Sequence, residues 1–134
     1  ILPLANTIIR PDKKLNDTQT LTTLHTLGTC LTTLFQFCGT FEGHSEHTYI
    51  IKCVERSADI FAWCESQIET KDSGFLPDVM SIADIRLVTL IGFIDRGYID
   101  LDWRSFAGPK VISLVRRLEE RPSFINTQAP MLNT

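Results

Sequence analysis

The chain has 134 residues and a formal net charge of −3 at pH 7, a size that suits one hydrophobic core. Hydrophobic residues make up 43% and charged residues 22%, the balance of an ordinary globular protein. The acidic balance excludes the basic face that nucleic acid or an anionic membrane surface requires, and no apolar run reaches the roughly 20 residues of a membrane span.

Residues 1 to 16 read as a lead-in, punctuated by Pro3 and Pro11 and ending in the polar "RPDKKLND". A helix is expected from Asp17 to Cys38, with Leu21, Leu24, Leu27, Leu31, Leu34, Phe35 and Cys38 in steps of three and four. Its other face is rich in Thr, an indifferent helix former, so packing must supply the stability. "CGTFEGHSEH" interrupts the pattern at Gly39 and Gly43. A second helix is expected from Ser45 to Thr70, with Tyr49, Ile50, Cys53, Val54, Ser57, Ile60, Phe61, Cys64 and Ile68 on its core face.

The loop "KDSGFLPDVM" leads into "SIADIRLVTLIGFIDRG". Ser81 reads as an N-cap, Asp84 as its capping-box partner, and Met80 with Ile85 as a hydrophobic staple. The helix that follows is apolar nearly all round, so it is expected to be central and buried. A buried helix cannot rely on water for its first amides, which accounts for so complete a start signal. Gly92 is read as a point of close approach and Gly97 as the helix stop. "YIDLDWRSFAGP" is expected as a connector pinned by Asp95 and Arg96 beside Asp102, Trp103 and Arg104. A fourth long helix starts at Pro109, carries Val111, Ile112, Val115 and Leu118 inward, and closes at Arg121-Pro122. The rest reads as a tail on which Phe124 docks.

Few residues point to chemistry. There is no nucleophile elbow and no phosphate-cradling glycine loop. Cys38, His44, His47 and Cys53 lie in one window, but their spacing is not that of a zinc site, so no metal is expected. The four cysteines form no C-x-x-C pair and read as reduced core thiols of a cytoplasmic protein. His25, at the edge of the first helix's stripe, is read as a half-buried, hydrogen-bonded histidine; Trp63 and Trp103 are read as core.

"FLPDVMSIADIRLVTLIGFIDRGYIDLDW" followed by "RLEERPSFINTQAP" resembles the all-helical C-terminal domain of glutathione S-transferases, bacterial ones above all. Their domain has a "P-x-[SL]-[AG]-D-I" helix start, a "DWR" and a closing "RPSF-x-x-T-x-P". The resemblance runs from about residue 17 to residue 130 and is sharpest from Pro77 onward. It implies an all-α helical bundle with four or more main helices over residues 17–134, residues 1–16 being the linker from an N-terminal thioredoxin-like domain. It implies that Ser81 and Asp84 serve folding, and that the first helix lines a hydrophobic substrate pocket and contributes to a homodimer. Leu24, His25, Gly28 and Thr32 are the pocket residues this suggests. The family's thiolate-activating residue, cis-Pro loop and Glu/Asp-Ser pair lie in the thioredoxin-like half and have no counterpart here, and Leu114 stands where bacterial members often have Trp. No catalytic residue is therefore assigned, and these residues alone are expected to be inactive and to bind no cofactor.

Two functions follow. In the first, the chain supplies the pocket for a small hydrophobic electrophile and dimer contacts in a glutathione-conjugating enzyme of detoxification, with glutathione as co-substrate. In the second, it is a non-catalytic protein–protein interaction module, as similar domains are in translation and stress-response complexes.

Overall fold

The computed structural model describes residues 14–37, 43, 46–76, 79–97 and 99–126. Helices there are α1 Lys14–Phe37, α2 Thr48–Gln67, α3 Ile82–Asp95, α4 Trp103–Phe106, α5 Pro109–Glu119 and α6 Pro122–Ile125. Among the described residues there is no strand, so the fold is all-α. Helix α1 packs on α2 and α3, α2 on α4 and α5, and α3 on α5, while α6 rests on α5. Leu24 and Leu27 of α1, Phe61 and Cys64 of α2, Leu87, Val88 and Ile91 of α3, and Val111 of α5 are buried where these helices meet. No helix among the described residues is long and apolar enough to cross a membrane.

The boundaries move a little from expectation. Helix α1 begins three residues before Asp17, inside the expected lead-in, whose residues 1–13 lie outside the described residues, as does Cys38. Helix α2 is shorter than expected at both ends. Its N-cap is His47, whose Nδ1 accepts from the Tyr49 N–H at 3.1 Å. Single-turn helices occupy the expected connector, at Trp103–Phe106, and the expected tail, at Pro122–Ile125. Phe35 and Tyr49 leave the core stripes and are 52% and 54% exposed. Phe35 follows the buried Leu34, and one residue turns a helix by about 100°.

The start of α3 is a three-way junction. The Asp84 N–H donates to Ser81 Oγ at 3.1 Å, and the Ser81 N–H donates to Asp84 Oδ2 at 2.9 Å. The other carboxylate oxygen, Oδ1, accepts from the Phe75 N–H at 2.9 Å and so fixes the preceding loop to the helix. Asp84 is buried, and burial raises its pKa above the ordinary aspartate value; the hydrogen bonds from Ser81 and Phe75 and the Arg117 charge act in the opposite sense. Gly74 allows the junction, since a Cβ there would sit 2.5 Å from Asp84 Oδ1. Gly92, read as the point of close approach, would meet only its own helix's Arg96 at 3.4 Å, an ordinary contact. At the far end the Gly97 N–H turns back to Ile94 O at 3.1 Å, and a φ of +85°, open to glycine, then leads the chain away from the helix.

Helix α5 is tied to α2 and to the loop after it. Pro109 fills its first position, and Glu65 of α2 accepts the next two free amides, Lys110 N–H at 3.1 Å and Val111 N–H at 3.0 Å. A carboxylate is well placed at a helix N-terminus. Lys110 Nζ in turn donates to Ile68 O at 2.9 Å, Ser113 Oγ to Lys71 O at 2.8 Å, and the Arg117 guanidinium to Asp72 O at 3.0 Å and Ser73 O at 2.9 Å. Asp95, at the end of α3, holds α4: Oδ1 accepts from Trp103 Nε1–H at 2.8 Å, and both oxygens pair with Arg104 at 3.0 and 3.2 Å. Trp103 stacks on Phe61 with centroids 6.0 Å apart. Trp63 packs against the core but remains partly exposed.

The largest departure concerns α3. Its pattern, apolar nearly all round, predicts a central, buried helix; Leu87, Val88 and Ile91 are buried, yet Ile82, Ile85 and Phe93 are 36%, 41% and 50% exposed. Among the described residues no helix covers that face. Phe93 lines a surface depression shared with α1, and Ile85 one shared with α6.

Candidate functional site

The depression between α1 and α3 is a groove of about 440 Å³, within the range of small-molecule sites. Helix periodicity decides which residues of α1 reach it. Leu24, Leu27, Leu31 and Leu34 point to the core, so the adjacent strip at His25, Gly28, Thr29, Thr32 and Phe35 borders the groove, with Leu31 on the boundary. The opposite wall is Arg86, Leu90 and Phe93 of α3, with Ile99 closing one end.

Of the expected pocket residues, His25, Gly28 and Thr32 line this groove together. Leu24 does not; one residue before His25, it is turned by about 100° into the core and is fully buried. His25 is exposed rather than half-buried. Sequence reasoning missed Arg86, Phe35 and Phe93. A signal existed for Arg86, the one basic residue in the apolar run from Ile82 to Ile94.

The groove is less polar than its composition suggests. Thr29 Oγ1 donates to His25 O at 3.2 Å and Thr32 Oγ1 to Gly28 O at 2.9 Å. The same bond recurs from Thr23 to Gln19, Thr26 to Thr22 and Thr33 to Thr29. These hydroxyls are therefore satisfied within α1, and what the threonines offer a ligand is chiefly their methyl groups. Gly28 keeps the floor low. A Cβ there would sit 3.1 Å from Arg86 Nη2 and 3.5 Å from Leu90 Cδ2, so the Arg86 head group lies across α1 at this point.

The thiols stand apart from the groove's surface. Burial, with Cys53 beside it, pushes the Cys30 thiol up, and burial pushes Cys64 to about 12. Neither supplies a thiolate at neutral pH. Among the described residues no three metal-ligating side chains converge. His47 serves as a helix cap and Cys53 as core, while Cys38 and His44 lie outside the described residues. Ser81 and Asp84 are the junction described above. Met80 and Ile85, 37% and 41% exposed, line the second depression with Phe124 and Leu118.

At the level of sequence the chain matches no family profile and no curated protein. At the level of structure it is similar to a glutathione S-transferase from Methylobacterium radiotolerans, solved in complex with glutathione sulfonate. The TM-score is 0.74 at 22% identity, over 92% of this chain. That likeness shows the fold: an all-helical arrangement like that within a glutathione S-transferase. The match spans 57% of the transferase's own chain.

Proposed function

We propose that this chain is the helical, electrophile-binding side of a cytoplasmic glutathione S-transferase-like enzyme. The observation that carries the reading is the apolar groove between α1 and α3, set in a fold that a glutathione S-transferase shares. In the reaction, glutathione thiolate forms a C–S bond to an electrophilic carbon. The leaving group departs with its electron pair, and the thiol proton passes to solvent. The thiolate is activated by a thioredoxin-like half outside these residues; the groove's part is to hold the apolar electrophile beside it and exclude water. Buried free thiols at Cys30, Cys53 and Cys64 suit a reducing compartment. The exposed side chains of Tyr49 and Ile51 offer apolar area for the contacts of a homodimer.

The test is conjugation of glutathione to an aryl chloride by the protein isolated from its native source, its intact mass measured first. The expected result is a mass larger than 15.2 kDa and activity that falls at least about tenfold in Thr32→Trp, which fills the groove from its exposed edge. Native protein without conjugating activity, or a Thr32→Trp variant as active as the parent, would overturn the reading.

A further inference from the structure

We infer that the groove selects aromatic ligands that carry an anionic group, with Arg86 as the selecting residue. The inference rests on the reading of the groove as an electrophile site and adds the class of molecule it takes. Three observations carry it.

The first is the position of the cation. Arg86 comes from a helix otherwise apolar on this side and lies over Gly28, where a side chain on α1 would crowd it. Its guanidinium thus lies against the stretch of α1 that borders the groove, while an arginine stem can cover apolar surface. The second is its want of a counter-charge. Among the described residues no carboxylate pairs with Arg86, whereas Arg104 pairs with Asp95 and Arg117 donates to two carbonyls. The groove's remaining lining contains no acid; His25 is its other ionisable side chain. The third is the make-up of the walls. Phe35 and Phe93 stand on opposite helices, are about half exposed, and both line the groove. An arene packs favourably against aromatic lining, and a planar guanidinium pairs with a carboxylate or sulfonate in two-point geometry.

The experiment uses a matched pair of probes, biphenyl-4-carboxylate and biphenyl-4-carboxamide, titrated by calorimetry at low salt into the parent chain and into Arg86→Gln. The parent is expected to bind the carboxylate at least about fivefold more tightly than the amide, as a partly exposed charge pair allows. In Arg86→Gln that ratio should fall below about two, and in Arg86→Lys much of it should return. Equal affinities for the two probes in the parent, with both lost in Thr32→Trp, overturn the role of Arg86 and leave the groove an apolar site. Failure of both probes to bind the parent removes the groove reading along with this one. Glutathione is the other source of carboxylate. If it displaces biphenyl-4-carboxylate and its own affinity drops in Arg86→Gln, Arg86 reads the peptide rather than the arene, and the inference falls.

Discussion

Replacing Asp84 by Ala tests the junction at the start of α3. The substitution strands the Ser81 and Phe75 amides, each now bonded at 2.9 Å to a buried carboxylate. A buried amide left unpaired costs about 1–3 kcal/mol. Part of that is offset, because the carboxylate itself pays a desolvation penalty, seen in its raised pKa. The net loss should be ~2–4 kcal/mol. With a urea m-value of about 2 kcal/mol/M, the unfolding midpoint falls by roughly 1–2 M. Gly74→Ala provides the coupled measurement, since its Cβ would collide with the same carboxylate. In the double variant with Asp84→Ala the collision is gone, so the two losses should be less than additive. The pH dependence follows from the direction of the shift. A folded-state pKa above the unfolded value means the folded chain takes up the proton first as pH falls. The contribution of Asp84 is then largest below the ordinary aspartate range and declines as pH rises through the folded value. The stability gap between parent and Asp84→Ala should be wider at pH 4.5 than at pH 7.5. A midpoint unchanged within error, strictly additive losses, or a gap that narrows on acidification would each refute the reasoning.

Cys64, with its thiol pushed to about 12 from an ordinary 9.0, favours the folded state fully below pH 9 and loses that effect as pH rises toward 12. Between pH 8 and pH 10 the fall in unfolding free energy should be about 1.4 kcal/mol shallower in Cys64→Ala, read by urea titration at each pH. Glu65→Ala removes the acceptor of two amides at the start of α5 and should cost ~1–2 kcal/mol, or roughly 4–8 °C in thermal midpoint for a chain of this size. Asp95→Ala leaves the Trp103 indole N–H without its acceptor; near-UV circular dichroism of the tryptophan should weaken and the midpoint should drop by a similar amount.

The parts of the fold that were legible in the sequence are those written in local chemistry. Leucines in steps of three and four mark the core face of α1. The Ser81–Asp84 spacing marks the start of α3, and Pro109 the first turn of α5. What could not be read there depends on partners distant in sequence. Nothing near Glu65 says that it caps a helix more than 40 residues later, and Gly74 looks like a turn glycine until Asp84 is placed against it. The face of α3 misled for the same reason. Ile82, Ile85 and Phe93 satisfy every local rule for burial, and only the arrangement of neighbouring helices leaves them at the surface. In the groove, the resemblance suggested His25, Gly28 and Thr32, which line it, and Leu24, which the leucine periodicity of α1 had already placed in the core. Arg86 belongs to another helix, and its placement opposite Gly28 is a tertiary fact.

The loop after α2 is gripped by α5 at carbonyl oxygens of residues 68, 71, 72 and 73, while the side chains of Glu69, Lys71 and Asp72 face water. Every residue, proline included, offers the same carbonyl in nearly the same place. Homologous chains can therefore drift freely in the identity of these three residues, but they cannot add or remove one without setting Lys110, Ser113 and Arg117 out of step with their acceptors. Loops commonly vary in length more readily than the elements they join; here the count is fixed and the letters are not.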